Sequence, residues 1–187
     1  FPSTKWKKEA IGQNWYLGET LISGIGQGYI QSAPLQLTLM TAQLANGGNK
    51  IYPTLIPNNK NIDQIKTEMK NNEDYDLPSN YPPLVRNKEN VKFVLDAMFK
   101  STNEVYGTSY SSRIEDPKYQ FVGKTGTAQV KRITEAEREL DRKLEQIPYK
   151  ERDHAWYIAF GPYKNPRYAM TVLVEHGGSG SSAAAPI

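Results

Sequence analysis

Three observations predict an α/β fold in which an antiparallel sheet is flanked by helices. Alternating, β-branched and aromatic runs at 119–131, 155–162 and 167–175 read as strands, the last two forming a hairpin through the turn-favouring segment Pro162 to Pro166. Apolar residues recur at helical spacing in two earlier segments. With 187 residues and 21.1 kDa, the chain is long enough for one domain with its own core and too short for two full ones.

Residues 12–50 begin aromatic and glycine-rich, at Gly12 to Gly18 and Gly24 to Gly28, and then turn helical. Leu37, Met40, Thr41 and Leu44 share one helical face, with Ser32 available as N-cap, Pro34 in the first turn and Gly47–Gly48 as the stop. This predicts a helix over about 33–46. Residues 57–83, rich in Asn, Lys, Asp and Pro, read as a surface excursion. Val91, Val94, Leu95, Met98 and Phe99 predict a second helix over about 88–101, capped by Asn87. Between the first and second strands, Thr134-x-x-Glu137 resembles a capping box, and Leu140, Leu144 and Ile147 share a helical face. A helical insertion over about 131–153 is expected there. Gly177 to Ile187 reads as a flexible or helix-initiating end.

Composition narrows the function classes. A hydrophobic fraction of 38% and a mean hydropathy of −0.65 suit a soluble globular domain with substantial loops. The longest apolar runs, such as Tyr168 to Val174, fall far short of the roughly 20 residues that span a bilayer. Phe1 to Lys8 carries charges with no apolar stretch behind them, so the chain reads as cytosolic or as an excised part of something exported. Acids (20) and bases (23) are interspersed at a net charge of +3, which argues against nucleic acid as a partner. With no cysteine and two histidines, disulfides and thiolate metal sites are excluded, few metal ligands remain, and no cofactor is expected.

Chemistry concentrates at Lys124-Thr125-Gly126-Thr127 on the first strand. Period-two alternation places Thr125 and Thr127 on one face, where two hydroxyls can grip one anion, and Lys124 and Gly126 on the other. Gly123 and Gly126 leave room for a second backbone to add to the strand. The flexible stem of Lys124 lets its ammonium reach around to the anion. The Thr127 N–H could serve as one donor of an oxyanion hole, a feature worth about 3 kcal/mol of barrier. On these residues alone, a solvated surface strand carrying one lysine is the favoured reading, because three such common residues recur by chance.

The surrounding sequence favours the chemical reading. Gly18 to Gln36, Ala45 to Gly48, Lys124 to Val130, Asp153 to Tyr163 and Val174 to Gly178 resemble, in order, blocks of class B penicillin-binding proteins, and are most similar to the penicillin-binding protein 2 type of elongation transpeptidase. The resemblance covers nearly the whole chain. It implies a partial penicillin-binding transpeptidase (β-lactamase-like) fold, residues 1–187 being the C-terminal part of that domain. It also implies acyl transfer, in which a serine activated by a lysine attacks the D-Ala-D-Ala bond of a peptidoglycan stem peptide and an amine resolves the acyl-enzyme. β-Lactams mimic that dipeptide. Lys124, Thr125, Gly126 and Thr127 would then recognise the terminal carboxylate, with the Thr127 N–H completing the oxyanion hole. The implied partners are the stem peptide, β-lactams, and the glycosyltransferase and scaffold proteins of the elongation complex. The implied location is the outer face of the bacterial inner membrane, through an anchor these residues do not contain.

The family's Ser-x-x-Lys nucleophile motif is missing from the sequence: three residues after Ser3, Ser101 and Ser109 stand Trp6, Glu104 and Ser112. Ser101-Thr102-Asn103 matches the family's Ser-x-Asn pattern, but it sits at a helix end close to Lys124 and reads as a chance match. The family also continues past this C-terminus with a helix that covers the sheet. Gly24-x-Gly26-x-Gly28 lacks phosphate-loop spacing and reads as a turn. Asp153-His154 puts adjacent side chains on opposite strand faces and reads as structural, and His176 as a loop residue. A serine β-lactamase or sensor domain, and a non-catalytic binding module, remain as alternatives.

Overall fold

The computed structural model describes residues 2–53, 83–131 and 142–187. Four helices, α1 (Thr4–Ile11), α2 (Leu17–Gly24), α3 (Pro34–Ala45) and α4 (Lys88–Asn103), precede the strands β1 (Val122–Ala128), β2 (His154–Gly161) and β3 (Tyr168–Val174). The strands form one antiparallel sheet, as the sequence predicts, and their order in it is β1-β2-β3. The surface excursion expected at 57–83 and the capping box at Thr134 lie almost wholly outside the described residues.

Each helix starts for a local reason. Ser3 Oγ accepts the Trp6 N–H at 3.1 Å and begins α1, which ends at Gly12 in the left-handed region. Neither α1 nor α2 is predicted by apolar spacing. In α3 the cap is Ala33 rather than Ser32: Pro34 occupies the first helical position, and Gln36 Oε1 accepts the Ala33 N–H at 2.8 Å. Asn87 caps α4 as expected, its Oδ1 accepting the Glu89 N–H at 2.8 Å. Most of the expected helical insertion lies outside the described residues; the described part, 142–153, carries two 3₁₀ turns, Leu144–Gln146 and Tyr149–Glu151, separated by Pro148. Proline there supplies no N–H to continue a helix.

The sheet is packed on both faces. Val122 and Phe160 meet Met98 of α4 on one face, where α3 also lies. On the other, Ala155, Tyr157 and Ala159 pack against Ala184 and Ala185 of a terminal π-helical turn, Gly180–Ala184. That turn sits backbone to backbone on the sheet: a Cβ on Gly180 would lie 2.4 Å from the Trp156 carbonyl and 2.6 Å from that of Gly126. Facing pairs in the ladder share a side, so Val122, Lys124 and Gly126 face the helices with Phe160, Ile158 and Trp156, while Gly123, Thr125 and Thr127 face the terminal turn.

The N-terminal helices are tied together by one ion pair. Lys7, 1% exposed, donates to Glu19 Oε1 and, at 2.8 Å, to the Asn14 carbonyl, with the rings of Tyr16 and Tyr29 beside its ammonium. The hydrogen bond from Lys7, and then the Tyr16 N–H, hold the Glu19 carboxyl below its ordinary range. Burial pulls Lys7 down, but Glu19 outweighs it and leaves the lysine above its usual value. The Glu19 contribution is therefore complete above pH 4.5 and lost as pH falls through its lowered pKa; that of Lys7 is complete below pH 10.5 and lost as pH rises through its raised one. Glu19→Gln is expected to lower Tm most above pH 4.5, with the gap to wild type closing as the solution is acidified below it; a gap that stays constant down to about pH 2 contradicts this account.

Candidate functional site

One edge of β1 is free of any strand among the described residues, and Lys124 to Thr127 lie along it. The Gly123 N–H points outward from the ladder, to Thr102 Oγ1 at 3.0 Å. Since outward-pointing groups recur every second residue in an antiparallel pair, the Thr125 and Thr127 N–H groups face the same open edge. Lys124 reaches around, its Nζ donating to the Thr125 carbonyl at 2.7 Å. Thr125 Oγ1 lies 3.3 Å from Thr108 Oγ1, and Thr127 is exposed. A cation, two hydroxyls and an outward-facing N–H thus converge on one stretch of edge.

A cleft of about 540 Å³ opens beside Lys124 between α3, α4 and β1, lined by Met40, Leu44, Val94, Met98 and Ile158 with Ser101, Glu104 and Thr108 at its polar end. A larger cavity of about 690 Å³ lies on the opposite face, among Phe121, Tyr157, Tyr168, Met170 and Val172. Both are walled chiefly by apolar side chains; the smaller is the one that Lys124 lines.

The Ser-x-Asn match has a structural use. Ser101 Oγ lies 3.1 Å from Thr108 Oγ1, Thr102 Oγ1 takes the Gly123 N–H, and Asn103 Nδ2 donates to the Phe121 carbonyl at 3.0 Å. All three residues tie the end of α4 to β1 or to the turn beside it. Thr102 and Thr108 are the residues that sequence reasoning misses. Their only signal is a run of small hydroxyl and amide residues at a helix end, where such side chains seek backbone partners.

Under β1, Thr102, Ser109 and Tyr157 form a closed triangle of hydroxyls, with O···O distances of 3.2, 3.1 and 3.0 Å, all buried. The Tyr157 ring crosses Gly123 so closely that a Cβ there would fall 2.3 Å from Oη. Elsewhere the bland readings hold. Asp153 Oδ1 accepts the Val130 N–H, His154 Nδ1 accepts the His176 N–H at 2.9 Å, and His176 pairs through Nδ1 with the Arg152 carbonyl. Gly26 and Gly28 adopt positive φ in the turn after α2. Among the described residues there is no cluster that could hold a metal ion.

The family model for the penicillin binding protein transpeptidase domain matches residues 3–187. The chain belongs to this family. It is 35% identical to the peptidoglycan D,D-transpeptidase MrdA of Salmonella typhimurium and to that of Haemophilus influenzae, over 100% of its own length and 28% and 27% of theirs. Among solved structures, PBP2 of Pseudomonas aeruginosa in complex with WCK 5153 matches with a TM-score of 0.72 and 35% identity, covering 100% of this chain and 35% of that one. A complex of PBP2 and MreC from Helicobacter pylori matches at 0.73 and 31%, covering 99% and 28%. The chain therefore spans roughly a third or less of these proteins.

The packing makes Gly123 intolerant. Gly123→Ala is expected to destabilise the chain by about 2–3 kcal/mol in urea unfolding, through overpacking against Tyr157. Tyr157→Phe should cost about 1–2 kcal/mol by leaving buried hydroxyls short of a partner. Negligible effects from both contradict the assigned contact.

Proposed function

We propose that this chain is the substrate-gripping, C-terminal part of a peptidoglycan D,D-transpeptidase of the penicillin-binding protein 2 type. The observation that carries the reading is the open edge of β1, where the Thr127 N–H, the Thr125 and Thr127 hydroxyls and the Lys124 ammonium are grouped beside a cleft. A stem peptide ending in D-Ala-D-Ala adds to that edge by main-chain pairing. Its terminal carboxylate meets the Thr125 and Thr127 hydroxyls under the field of Lys124, and the scissile carbonyl oxygen points at the Thr127 N–H.

The chemistry needs a serine that these residues do not supply. That serine, encoded upstream in the parent protein, loses its proton to a lysine base, attacks the penultimate D-alanine carbonyl and expels the terminal D-alanine, which leaves with a proton. An amine from a neighbouring stem then displaces the serine and forms the cross-link. β-Lactams enter by the same route, their carboxylate in the same place, and stay as the acyl-enzyme.

The relatives extend the reading to the parent. The Helicobacter PBP2 structure is a complex with MreC, and the same kind of scaffold contact is proposed here, with a polymerising glycosyltransferase as a second partner. We place the parent at the outer face of the bacterial inner membrane, held by an anchor upstream of these residues. No helix among the described residues is long and apolar enough to cross a membrane.

Mass spectrometry separates the two halves of the site. This chain, incubated with a β-lactam, is expected to show no mass increase, whereas the parent carrying Ser-x-x-Lys is expected to gain one adduct. An adduct on any serine of this chain overturns the assignment of the nucleophile to the upstream region. In the parent, Thr127→Val should slow β-lactam acylation about tenfold, the worth of one hydrogen bond to a carboxylate.

A further inference from the structure

We propose that the end of α4 and the turn after it form a stop for the peptide paired with β1, so that the site accepts only peptides whose carboxyl terminus lies beside Thr125. The inference deepens the transpeptidase reading and rests on it. It assigns Thr102 and Thr108 a specificity role alongside the Lys124 to Thr127 strand.

The first half of the stop is Thr102. Its side chain, 0% exposed, accepts the outward Gly123 N–H at 3.0 Å, and this removes from the open edge the donor that an incoming chain would need to continue pairing. Displacing it would strand a buried hydroxyl already shared with Ser109 and Tyr157, and leaving buried polar groups unpaired is costly. Pairing along the edge is therefore confined to Thr125 and Thr127.

The second half is Thr108. Its Oγ1 stands 3.3 Å from Thr125 Oγ1 and 3.1 Å from Ser101 Oγ, across the path a longer peptide would take. The turn that carries it is pressed onto α4: a Cβ on Gly107 would lie 2.3 Å from the Ser101 carbonyl, and the Ser109 N–H donates to that same carbonyl at 3.0 Å. It cannot swing aside without breaking these contacts. The groups at the stop are hydroxyls from Ser101, Thr108 and Thr125, with Lys124 and Lys100 lining the adjoining cleft and Glu104 the one acid that lines it among the described residues. Hydroxyls beside a cation satisfy a carboxylate; a peptide continuing past this point meets a wall.

The test compares acylation of the parent protein by a stem-type peptide ending in a free D-Ala-D-Ala carboxylate and by the same peptide extended with one glycine, with a β-lactam as a control for an intact nucleophile. The wild type is expected to favour the free acid by about a hundredfold, the equivalent of one lost charged contact plus a clash. Thr108→Ala and Thr102→Val should each shrink that ratio about tenfold, while Thr108→Ser and Thr102→Ser restore it, a pattern that general loss of stability does not produce. Should Thr102→Val fail to fold, Thr108→Ala decides alone. A wild type that takes both peptides equally, or a ratio unmoved by Thr108→Ala while the β-lactam still reacts, overturns the stop and leaves the transpeptidase reading standing. A parent that reacts with neither peptide nor β-lactam overturns that reading and the stop with it.

Discussion

The contact between the Tyr157 ring and the bare backbone of Gly123 is the constraint on which the site depends. A buried phenol must find hydrogen-bond partners, and Tyr157 finds Thr102 and Ser109. Thr102 belongs to the last turn of α4, so the position of the helix end is set by a side chain from the middle strand. The same Thr102 oxygen receives the Gly123 N–H, which sets where β1 lies relative to α4. One aromatic hydroxyl thus positions a helix, a strand and the turn between them. The apolar cluster of Met98, Val122 and Phe160 adds cohesion on the other face, but burial of that kind is non-directional and would tolerate a shift that the hydroxyl triangle does not.

The two faces of β1 divide the labour at its edge. Lys124 leaves on the helical side, among Met40, Leu44 and Ile158, whereas the threonines leave on the side of the terminal turn. A short cation would be lost in the apolar cleft. Lysine's long stem brings the ammonium back to the Thr125 carbonyl, so that charge from one face and hydroxyls from the other meet at the edge between them.

Much of this was legible in the sequence, for identifiable reasons. The spacing of Val91, Val94, Leu95 and Met98 gives α4, and the alternation through Val122 to Thr127 gives β1 and the faces of its side chains. Helix α1 escapes such reading because the residue it buries is Lys7, whose burial makes sense only once Glu19 is known to lie against it. The Ala33 cap escapes because proline geometry overrides the better-suited hydroxyl of Ser32. Thr102 and Thr108 escape because hydroxyl networks across long sequence separations leave no periodic trace. The membership of the family, carried by ordered blocks of sequence, was readable; the hydroxyl contacts at the end of the open edge of β1 required coordinates.

Behind the strand, Gly180 rests directly on the backbone of Gly126 and Trp156, with no side chain between them. Most packed surfaces can be tuned in small steps, because side chains differ by a methylene and can change rotamer. This one has no such cushion. It acts as a bearing of fixed clearance: the height of β1 over the terminal turn is set by van der Waals radii alone, and sequence drift at either glycine has no graded route by which to adjust it.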